Sequence, residues 1–218
     1  VLSGIADNEK VNKAMDAVTK HLLKKNGCLL LTPAYTAPDQ MIGYLSRYAP
    51  GRRENGGVYT HAATWAIWAY ALLKKNDLAF TAYKNLCPVY NGINEDEYLA
   101  EPYVTPGNID GPDSPNYGMA GWTWYTGSAN WFQKVIVDWI LGVRASFEGL
   151  IIDPCIPADW KSYSVKRLFR NTTYNISVFN KAIENPKFSY MIIDGKKTQS
   201  NLIKPMKKSE VNVEVFLS

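Results

Sequence analysis

The chain has 218 residues, of which 46% are hydrophobic and 20% are charged. This globular composition excludes a disordered, collagen-like or disulfide-stapled protein. The formal net charge of +4 is too small for a nucleic-acid-binding surface, and no apolar run approaches the roughly 18 residues of a membrane span. We therefore expect no nucleic acid and no membrane among its partners, and we interpret the chain as a cytoplasmic fragment.

Cysteine and aromatic residues narrow the function further. Cys28, Cys87 and Cys155 lie far apart, and only His21 and His61 could help them to bind a metal. The sequence therefore predicts neither a disulfide framework nor a metal site. Aromatic residues make up 13% of the chain, and their flat amphipathic rings suit stacking on sugars or bases. Carbohydrate is the first ligand to consider.

The first two thirds of the chain show helical periodicity. Apolar residues spaced by three and four predict one amphipathic helix over 9–25, capped by Asp7 or the following Asn. The runs 61–73 and 131–141 are apolar on every side, which is typical of buried helices such as the inner layer of a helical barrel. A short outer helix is predicted over 78–86.

After Gly149 the helical pattern stops, and short alternating runs separated by Pro, Asn and Gly turns predict antiparallel strands. The predicted strands are Leu150 to Ile152, Tyr163 to Phe169, Thr172 to Val178, Phe188 to Ile193 and Val211 to Leu217. We place a domain boundary near Glu148. Residues 1–148 are predicted to be all-α, and residues 149–218 are predicted to form a small antiparallel β-sandwich.

A polar, glycine-rich segment runs from Tyr48 to His61, immediately before the first apolar helix. Glycines allow the backbone to approach a ligand closely. His61 falls on the first turn of the predicted helix. Taken alone, such a histidine is more often a capping or core residue. Arg52, Arg53 and Glu54 are equally consistent with a solvated surface run.

A second polar segment, Glu101 to Asp113, lies in a predicted long loop over 91–121. Loops of this length are usually functional. The segment combines carboxylates, an amide and an aromatic ring, and sugar hydroxyls bind well to paired acceptors. Asp110 and Asp113 have Gly and Pro neighbours, so they are expected to form turns. Glu101 is therefore the better site candidate.

A third segment, Gly121 to Trp131, leads directly into the second apolar helix. Its Thr126-Gly-Ser sequence at a helix start offers free N–H groups, a hydroxyl and the positive end of the helix dipole. These features together suit an anion such as phosphate. Taken alone, the same residues are also explained by an ordinary Thr or Ser cap packed by tryptophans.

In this order, the segments resemble the C-terminal part of the disaccharide phosphorylases and β-glucan enzymes of glycoside hydrolase family 94. The matching stretches are Leu2-Ser-Gly-Ile-Ala6, Pro50-Gly-Arg-Arg-Glu-Asn-Gly-Gly57 with His61 and Trp65, Glu101-Pro-Tyr-Val104, Trp124-Tyr-Thr-Gly-Ser128, and Gly149-Leu-Ile-Ile-Asp-Pro-Cys-Ile-Pro157 with Asp159-Trp160. The resemblance implies an α plus β fold, with the C-terminal half of an (α/α)6 catalytic barrel over 1–148 and a C-terminal β-sandwich over 149–218.

The resemblance also implies an inverting phosphorolysis. Inorganic phosphate, the co-substrate, attacks the anomeric carbon of a β-linked glucosyl unit and releases α-glucose 1-phosphate. Because phosphate is the nucleophile, one carboxylic acid suffices to protonate the leaving oxygen. The family's general acid aspartate lies upstream of everything in this chain, so no catalytic residue is expected here. No cofactor and no metal are expected.

The resemblance assigns two groups of residues to binding. Phosphate binding falls to His61, Thr126 and Gly127. Substrate binding falls to a group of polar and aromatic side chains: Tyr44, Tyr48, Arg53, Glu54 and Glu101. Of these, Tyr48 and Arg53 match positions that line the acceptor subsite.

Two departures from the family pattern bear on the substrate. Cellobiose- and chitobiose-type members carry a glutamine shortly after Glu-Pro-Tyr-Val that contacts the donor sugar, and Gly107 corresponds to it here. The segments 44–48 and 121–127 resemble the β-1,2-glucan-processing branch more closely, which leaves the linkage open.

The resulting expectation is a C-terminal fragment of a glycoside phosphorylase that acts on a β-linked gluco-oligosaccharide. The missing N-terminal part of the same enzyme and a second copy in a homodimer are the expected protein partners. The fragment alone is expected to be inactive. The alternatives are a noncatalytic carbohydrate-binding or interface module and the phosphorylase-like tail of a cyclic β-1,2-glucan synthase.

Overall fold

The computed structural model describes residues 1–218, which form two compact units. The first unit contains residues 1–70 and 81–133, and the second contains residues 71–80 and 134–218. Helices and several small sheets are both present, which confirms the α plus β class. The barrel, the sandwich and the boundary near Glu148 stay predictions.

The first helix is shorter than predicted. Helix α1 (Asn8–Ala17) is capped by the Asp7 carboxylate, which accepts a backbone N–H of the first turn at 2.9 Å. A π-helical turn over Val18–Leu22 follows. The predicted helix over 9–25 is wrong beyond this point, because the chain turns into a hairpin whose strands pair with each other instead of continuing the helix. These strands are β1 (Leu23–Lys24) and β2 (Gly27–Cys28).

The remaining predicted helices form close to their predicted positions. Helix α2 spans Thr60–Leu72, α3 spans Asn76–Leu86, and α6 spans Thr126–Lys134 and continues as a π-helix over Val135–Ile140. Two further short helices, α4 (Pro88–Asn91) and α5 (Glu95–Tyr98), occupy residues at the start of the predicted long loop. None of these helices has the length and apolarity that a membrane crossing requires.

The expectation that α2 is buried on every side is wrong. Ile67 and Tyr70 are fully buried, but Trp65 is 42% exposed. The exposed residues Trp65 and Leu72 lie on one side of the helix. There the Trp68 ring stacks on Trp131 of α6 with the centroids 5.8 Å apart, and the Trp65 ring meets Trp131 edge-on at 5.9 Å. The partly exposed side of α2 therefore carries aromatic side chains.

Three two-residue strands bring the polar segments of the first unit together. Strands β3 (Val58–Tyr59), β4 (Asn108–Ile109) and β5 (Ala120–Gly121) pair antiparallel in that order. Tyr59 lies opposite Asn108, which in turn lies opposite Gly121. The glycine-rich segment, the long loop and the segment before α6 thus meet at one small sheet.

The second unit contains two sheets. Strands β6 (Val143–Ala145), β7 (Leu150–Ile152) and β12 (Leu202–Ile203) form one, in the order β12-β7-β6. The other has the order β11-β10-β13-β9-β8 and consists of β8 (Ser162–Phe169), β9 (Thr172–Asn180), β10 (Phe188–Ile193), β11 (Lys196–Thr198) and β13 (Glu210–Leu217). The five strands predicted from alternation are all observed.

The prediction of a purely antiparallel arrangement is wrong for one pair. Strand β13 runs parallel to β9, with Val213 opposite Ile176, and antiparallel to β10 on its other side. Alternating residues of both central strands are buried, among them Val211, Val213 and Val215 of β13. Alternation identifies a strand and its buried face, but it does not specify which strand becomes its neighbour.

In a charged cluster of the second unit, each charged group has a partner of opposite charge. The Asp153 carboxylate pairs with the Lys74 ammonium at 2.5 Å and with the Arg144 guanidinium at 3.0 Å. Burial alone would raise the pKa of Asp153, but the hydrogen bonds and charges of Lys74 and Arg144 outweigh burial and hold this pKa below its usual value.

Candidate functional site

The glycine-rich loop is closed against the turn that follows β4. The Gly111 N–H donates to the Gly51 carbonyl at 2.7 Å. Gly51 has φ +79°, and a Cβ at this position would lie 2.1 Å from the Ser114 backbone nitrogen. Only glycine allows this approach. The two polar segments therefore come into backbone contact, as a shared site requires.

The buried Asn55 side chain holds the loop in shape. Its Oδ1 accepts the Tyr35 N–H at 2.8 Å, and its Nδ2 donates to the carbonyls of Tyr35 at 2.9 Å and Tyr48 at 2.7 Å. The amide thus satisfies three backbone groups at once. This fixes the backbone from which Tyr48, Arg52 and Arg53 project.

A cavity of about 430 Å³ lies between this loop and strands β4 and β5. Its lining includes three arginines, two aromatic rings and one buried carboxylate: Arg47, Tyr48, Arg52, Arg53, Asp110 and Trp122. Aromatic rings beside hydrogen-bonding groups are the combination that binds sugar rings.

Arg53 lies between two rings of this cavity. Its guanidinium carbon is 4.7 Å from the centre of the Tyr48 ring and 4.0 Å from the centre of the Trp122 ring. Its Nε is 3.5 Å from the Glu54 carboxylate. The structure therefore brings together three predicted substrate-binding residues, Tyr48, Arg53 and Glu54. Of the possible surface run Arg52, Arg53 and Glu54, Arg52 is exposed, whereas Arg53 and Glu54 are half-buried.

Asp110 is the residue that sequence reasoning missed. Its side chain is 2% exposed and accepts hydrogen bonds from Arg52 Nε at 3.1 Å, Ser114 Oγ at 2.8 Å and Asn108 Nδ2 at 3.1 Å. The expectation that Asp110 only forms a turn is wrong, because its carboxylate is the buried partner of a cavity arginine. The neighbouring Gly and Pro residues concealed this role, and no local pattern distinguishes it.

The predicted phosphate-binding residues lie at the starts of two helices. His61 is on the first turn of α2, as predicted, and Thr126 and Gly127 begin α6. The His61 ring lies 6.0 Å from that of Trp131, on the second turn of α6. The Tyr59 and Tyr125 hydroxyls, which precede the two helices, are hydrogen-bonded at 3.1 Å. This bond, with burial, raises the pKa of Tyr59 to about 12.

Several polar atoms at these helix starts are buried without a hydrogen-bond partner. They are Nε2 of His61, Oγ1 of Thr60 and Oγ of Ser128. The first N–H groups of any α-helix also lack acceptors within the helix. A Cβ at Gly127 would meet no atom within 4 Å, so the start of α6 is open to a ligand. The region can therefore offer several donors to an anion.

The other two candidates lie apart from the cavity lining. Glu101 accepts a hydrogen bond from the Trp124 indole N–H at 3.2 Å beside a shallow hollow. Hydrogen bonding to backbone N–H and to Trp124 holds the pKa of Glu101 below its usual value. Tyr44 is 64% exposed, and its ring meets the Tyr48 ring edge-on at 5.9 Å. Tyr44 reaches the cavity only through Tyr48.

Aromatic rings beside arginine and carboxylate groups, as in this cavity, are typical of carbohydrate-binding proteins. Residues 1–142 match the family model described as the glycosyl hydrolase 94 superfamily, catalytic domain. The chain belongs to this family, which confirms the predicted resemblance.

Three relatives show how much of such proteins this chain represents. It is 35% identical over 217 residues to an N,N'-diacetylchitobiose phosphorylase of Vibrio proteolyticus, covering 100% of this chain and 27% of that protein. It is 34% identical over 196 residues to a solabiose phosphorylase of Paenibacillus borealis, covering 90% of this chain and 26% of that protein. It is 41% identical over 182 residues to the cyclic beta-(1,2)-glucan synthase NdvB of Rhizobium meliloti (strain 1021), covering 81% of this chain and 6% of that protein. The chain thus spans about a quarter of the length of these phosphorylases.

Proposed function

We propose that these residues belong to an inverting glycoside phosphorylase, which cleaves a β-glucosidic disaccharide or oligosaccharide with inorganic phosphate and yields α-glucose 1-phosphate. Residues 1–148 contribute the C-terminal half of an (α/α)6 barrel, and residues 149–218 contribute a β-sandwich. The general acid is supplied by residues outside this chain. The 218 residues alone are therefore inactive.

The observation that carries the proposal is the pair of helix starts. His61 has a buried, unpartnered Nε2, and its ring packs on Trp131 in the second turn of α6. The first turn of that helix opens with Thr126 and Gly127. Phosphate carries one to two negative charges near neutral pH, so its burial requires several converging donors. A hydroxyl, a backbone N–H and an imidazole N–H supply them. Phosphate held here attacks as the nucleophile, so no second carboxylate is needed.

The cavity around Arg53 is proposed as the acceptor subsite. It lies beside strand β4, whose partner β3 leads directly into His61, so sugar and phosphate meet across one small sheet. The Tyr48 ring offers a stacking surface, and the guanidinium and carboxylate groups offer hydrogen bonds to hydroxyls. Glu101 and Tyr44, at the periphery, are proposed to contact outer sugar units.

The test is phosphate titration of the full-length protein that contains this chain, at fixed disaccharide. His61→Ala and Thr126→Val should each lower phosphorolysis by about 10²-fold or more, since one donor lost from such a site costs about 2 to 4 kcal/mol. His21→Ala, which changes an exposed histidine of α1's π-helical extension, is the matched control and should retain full activity. Wild-type phosphate dependence in both site variants would contradict the phosphate assignment.

A second candidate rests on the 41% identity to part of NdvB. The chain would then be the phosphorylase-like part of a cyclic β-1,2-glucan synthase. The complete reading frame separates the two: a glycosyltransferase domain with membrane spans indicates the synthase, and an upstream barrel half with its acidic residue indicates the phosphorylase.

A further inference from the structure

Trp122 has a backbone conformation that is unfavourable for a tryptophan. Its φ of +49° is left-handed, a conformation in which a residue with a Cβ is strained. The centre of its indole nevertheless lies 4.0 Å from the Arg53 guanidinium carbon, and the centre of the Tyr48 ring lies 4.7 Å from the same atom. Strained residues persist where the surroundings hold them, and they concentrate at ligand sites. The Trp122 conformation therefore points to a role at the cavity.

Gly107 provides the space in which Trp122 sits. The Gly107 N–H donates to the carbonyls of Gly121 at 3.1 Å and Trp122 at 2.9 Å. A Cβ at position 107 would lie 3.2 Å from the Trp122 Cβ and 3.4 Å from the Tyr125 ring. A longer side chain at 107 would thus compete with Trp122 for the same volume. The glycine and the tryptophan form one structural unit.

The charges inside the cavity are already paired. Arg52 Nε lies 3.1 Å from the buried carboxylate of Asp110, and Arg53 Nε lies 3.5 Å from that of Glu54. Arg47 is exposed at the rim, where water and salt screen its charge. A ligand therefore meets compensated guanidinium groups. Their N–H edges can still donate to hydroxyl oxygens, whereas a carboxylate would gain little attraction and would face Glu54.

We infer that Trp122 is a specificity-determining residue of the acceptor subsite, and that this subsite takes an uncharged pyranose. The Trp122 ring fixes the Arg53 fork in one plane, so that its edge pairs with two hydroxyl oxygens of the sugar. Glu54 neutralises Arg53 and thereby disfavours a carboxylated sugar. This inference rests on the proposed phosphorylase function.

The experiment uses the full-length protein in the synthetic direction, with α-glucose 1-phosphate as donor and phosphate release as readout. Glucose and N-acetylglucosamine are compared with glucuronate, which differs from glucose by a carboxylate at C6. The neutral acceptors should give a kcat/KM at least about tenfold higher. Trp122→Ala should raise the acceptor KM about tenfold and leave the KM for α-glucose 1-phosphate unchanged, whereas Trp122→Phe should keep most acceptor binding.

Glu54→Gln provides an independent test, because it leaves Arg53 uncompensated at nearly constant volume. The preference for glucose over glucuronate should shrink about tenfold or reverse. Glucuronate accepted as well as glucose by the wild type, or an unchanged acceptor KM in folded Trp122→Ala, would overturn the inference while leaving the phosphorylase function standing. Absence of phosphate release with every acceptor would overturn the proposed function, and the inference with it.

Discussion

The two compact units use the same rare backbone conformation for different purposes. In the second unit, left-handed Arg170 and Asn171 join β8 to β9 as a two-residue turn, and Asp194 makes a similar turn between β10 and β11. Such turns match the twist of the strands they connect. In the first unit, left-handed Arg53 and Trp122 are bulky and meet at the cavity. The left-handed residues between paired strands form turns, whereas Arg53 and Trp122 lie at a cavity.

The units also differ in how they satisfy buried polar groups. Asp153 in the second unit has both a lysine and an arginine as partners. In the first unit, His61, Thr60 and Ser128 have buried polar atoms without one. Buried polar groups without partners cost free energy and are retained where a ligand or another part of the protein meets them. Such atoms cluster at the two helix starts of the first unit, whereas in the second unit the buried Tyr174 hydroxyl is a lone case.

The largest expected effect on stability comes from substituting a glycine in the crowded loop of the first unit. A glycine in an open turn of the second unit serves for comparison. Gly51→Ala combines left-handed strain with a backbone clash, so it should lower the free energy of unfolding by roughly 3 kcal/mol. Gly195→Ala is the matched control, since its φ is +83° but a Cβ would meet no atom within 4 Å. It should cost only about 1 kcal/mol. Urea denaturation measures the free energy of unfolding of both variants. Equal losses of stability would show that the backbone contact at Gly51 has no effect.

The next effect concerns the charged cluster around Asp153. Asp153→Asn should lower the free energy of unfolding by about 2 kcal/mol at pH 7, because Lys74 and Arg144 lose their common partner. The folded state holds the pKa of Asp153 below its usual value. The stabilisation is therefore complete above about pH 4 and declines as the pH falls through the lowered pKa. Urea denaturation at several pH values checks this.

The variant itself should lack that acid-dependent loss, so the gap between wild type and Asp153→Asn should narrow below about pH 4. The control is Asp159→Asn, which changes an exposed aspartate of the same unit. A constant gap from pH 7 to pH 3 would show that the charge of Asp153 does not stabilise the second unit.

The smallest effect is expected in the β8–β9 turn. Asn171 has φ +64°, which asparagine and glycine both tolerate. Asn171→Gly should therefore change the free energy of unfolding by no more than about 0.5 kcal/mol in either direction. Thermal and urea unfolding give the value. A loss above about 1 kcal/mol would show that Asn171 does more than complete a turn.

Sequence periodicity predicted the long elements because burial imposes a repeat of two or 3.6 residues on them. The rule holds for helix α1, which buries Val11 and Met15 four residues apart, and for strand β13, which buries every second residue. Strands β3, β4 and β5 have two residues each, which is too few to show a repeat. They are nevertheless the strands that assemble the site.

The candidate site was predictable where chemistry is carried by local sequence, as for the Thr126-Gly127 helix start. Asp110 was not, because its role depends on Arg52, 58 residues earlier in the chain. Glu101 looked more favourable because turns explained Asp110 and Asp113, yet its carboxylate lies at a shallow hollow beside Trp124. The pairing of Asp110 with a residue distant in sequence makes it part of the cavity, and no local sequence pattern distinguishes it from Glu101 in this respect.

The position of β13 in the centre of the five-stranded sheet has a consequence during synthesis. Strands β9 and β10 each expose an unpaired edge until Glu210–Leu217 arrives between them. At about 5 to 20 residues per second, the 29 residues that separate the end of β9 from the start of β13 take roughly 1.5 to 6 seconds to translate. Once β10 has also been made, the nascent chain carries two open edges to which other growing chains can attach. The slow assembly of this sheet therefore makes production of the protein sensitive to crowding on the ribosome and to chaperone supply.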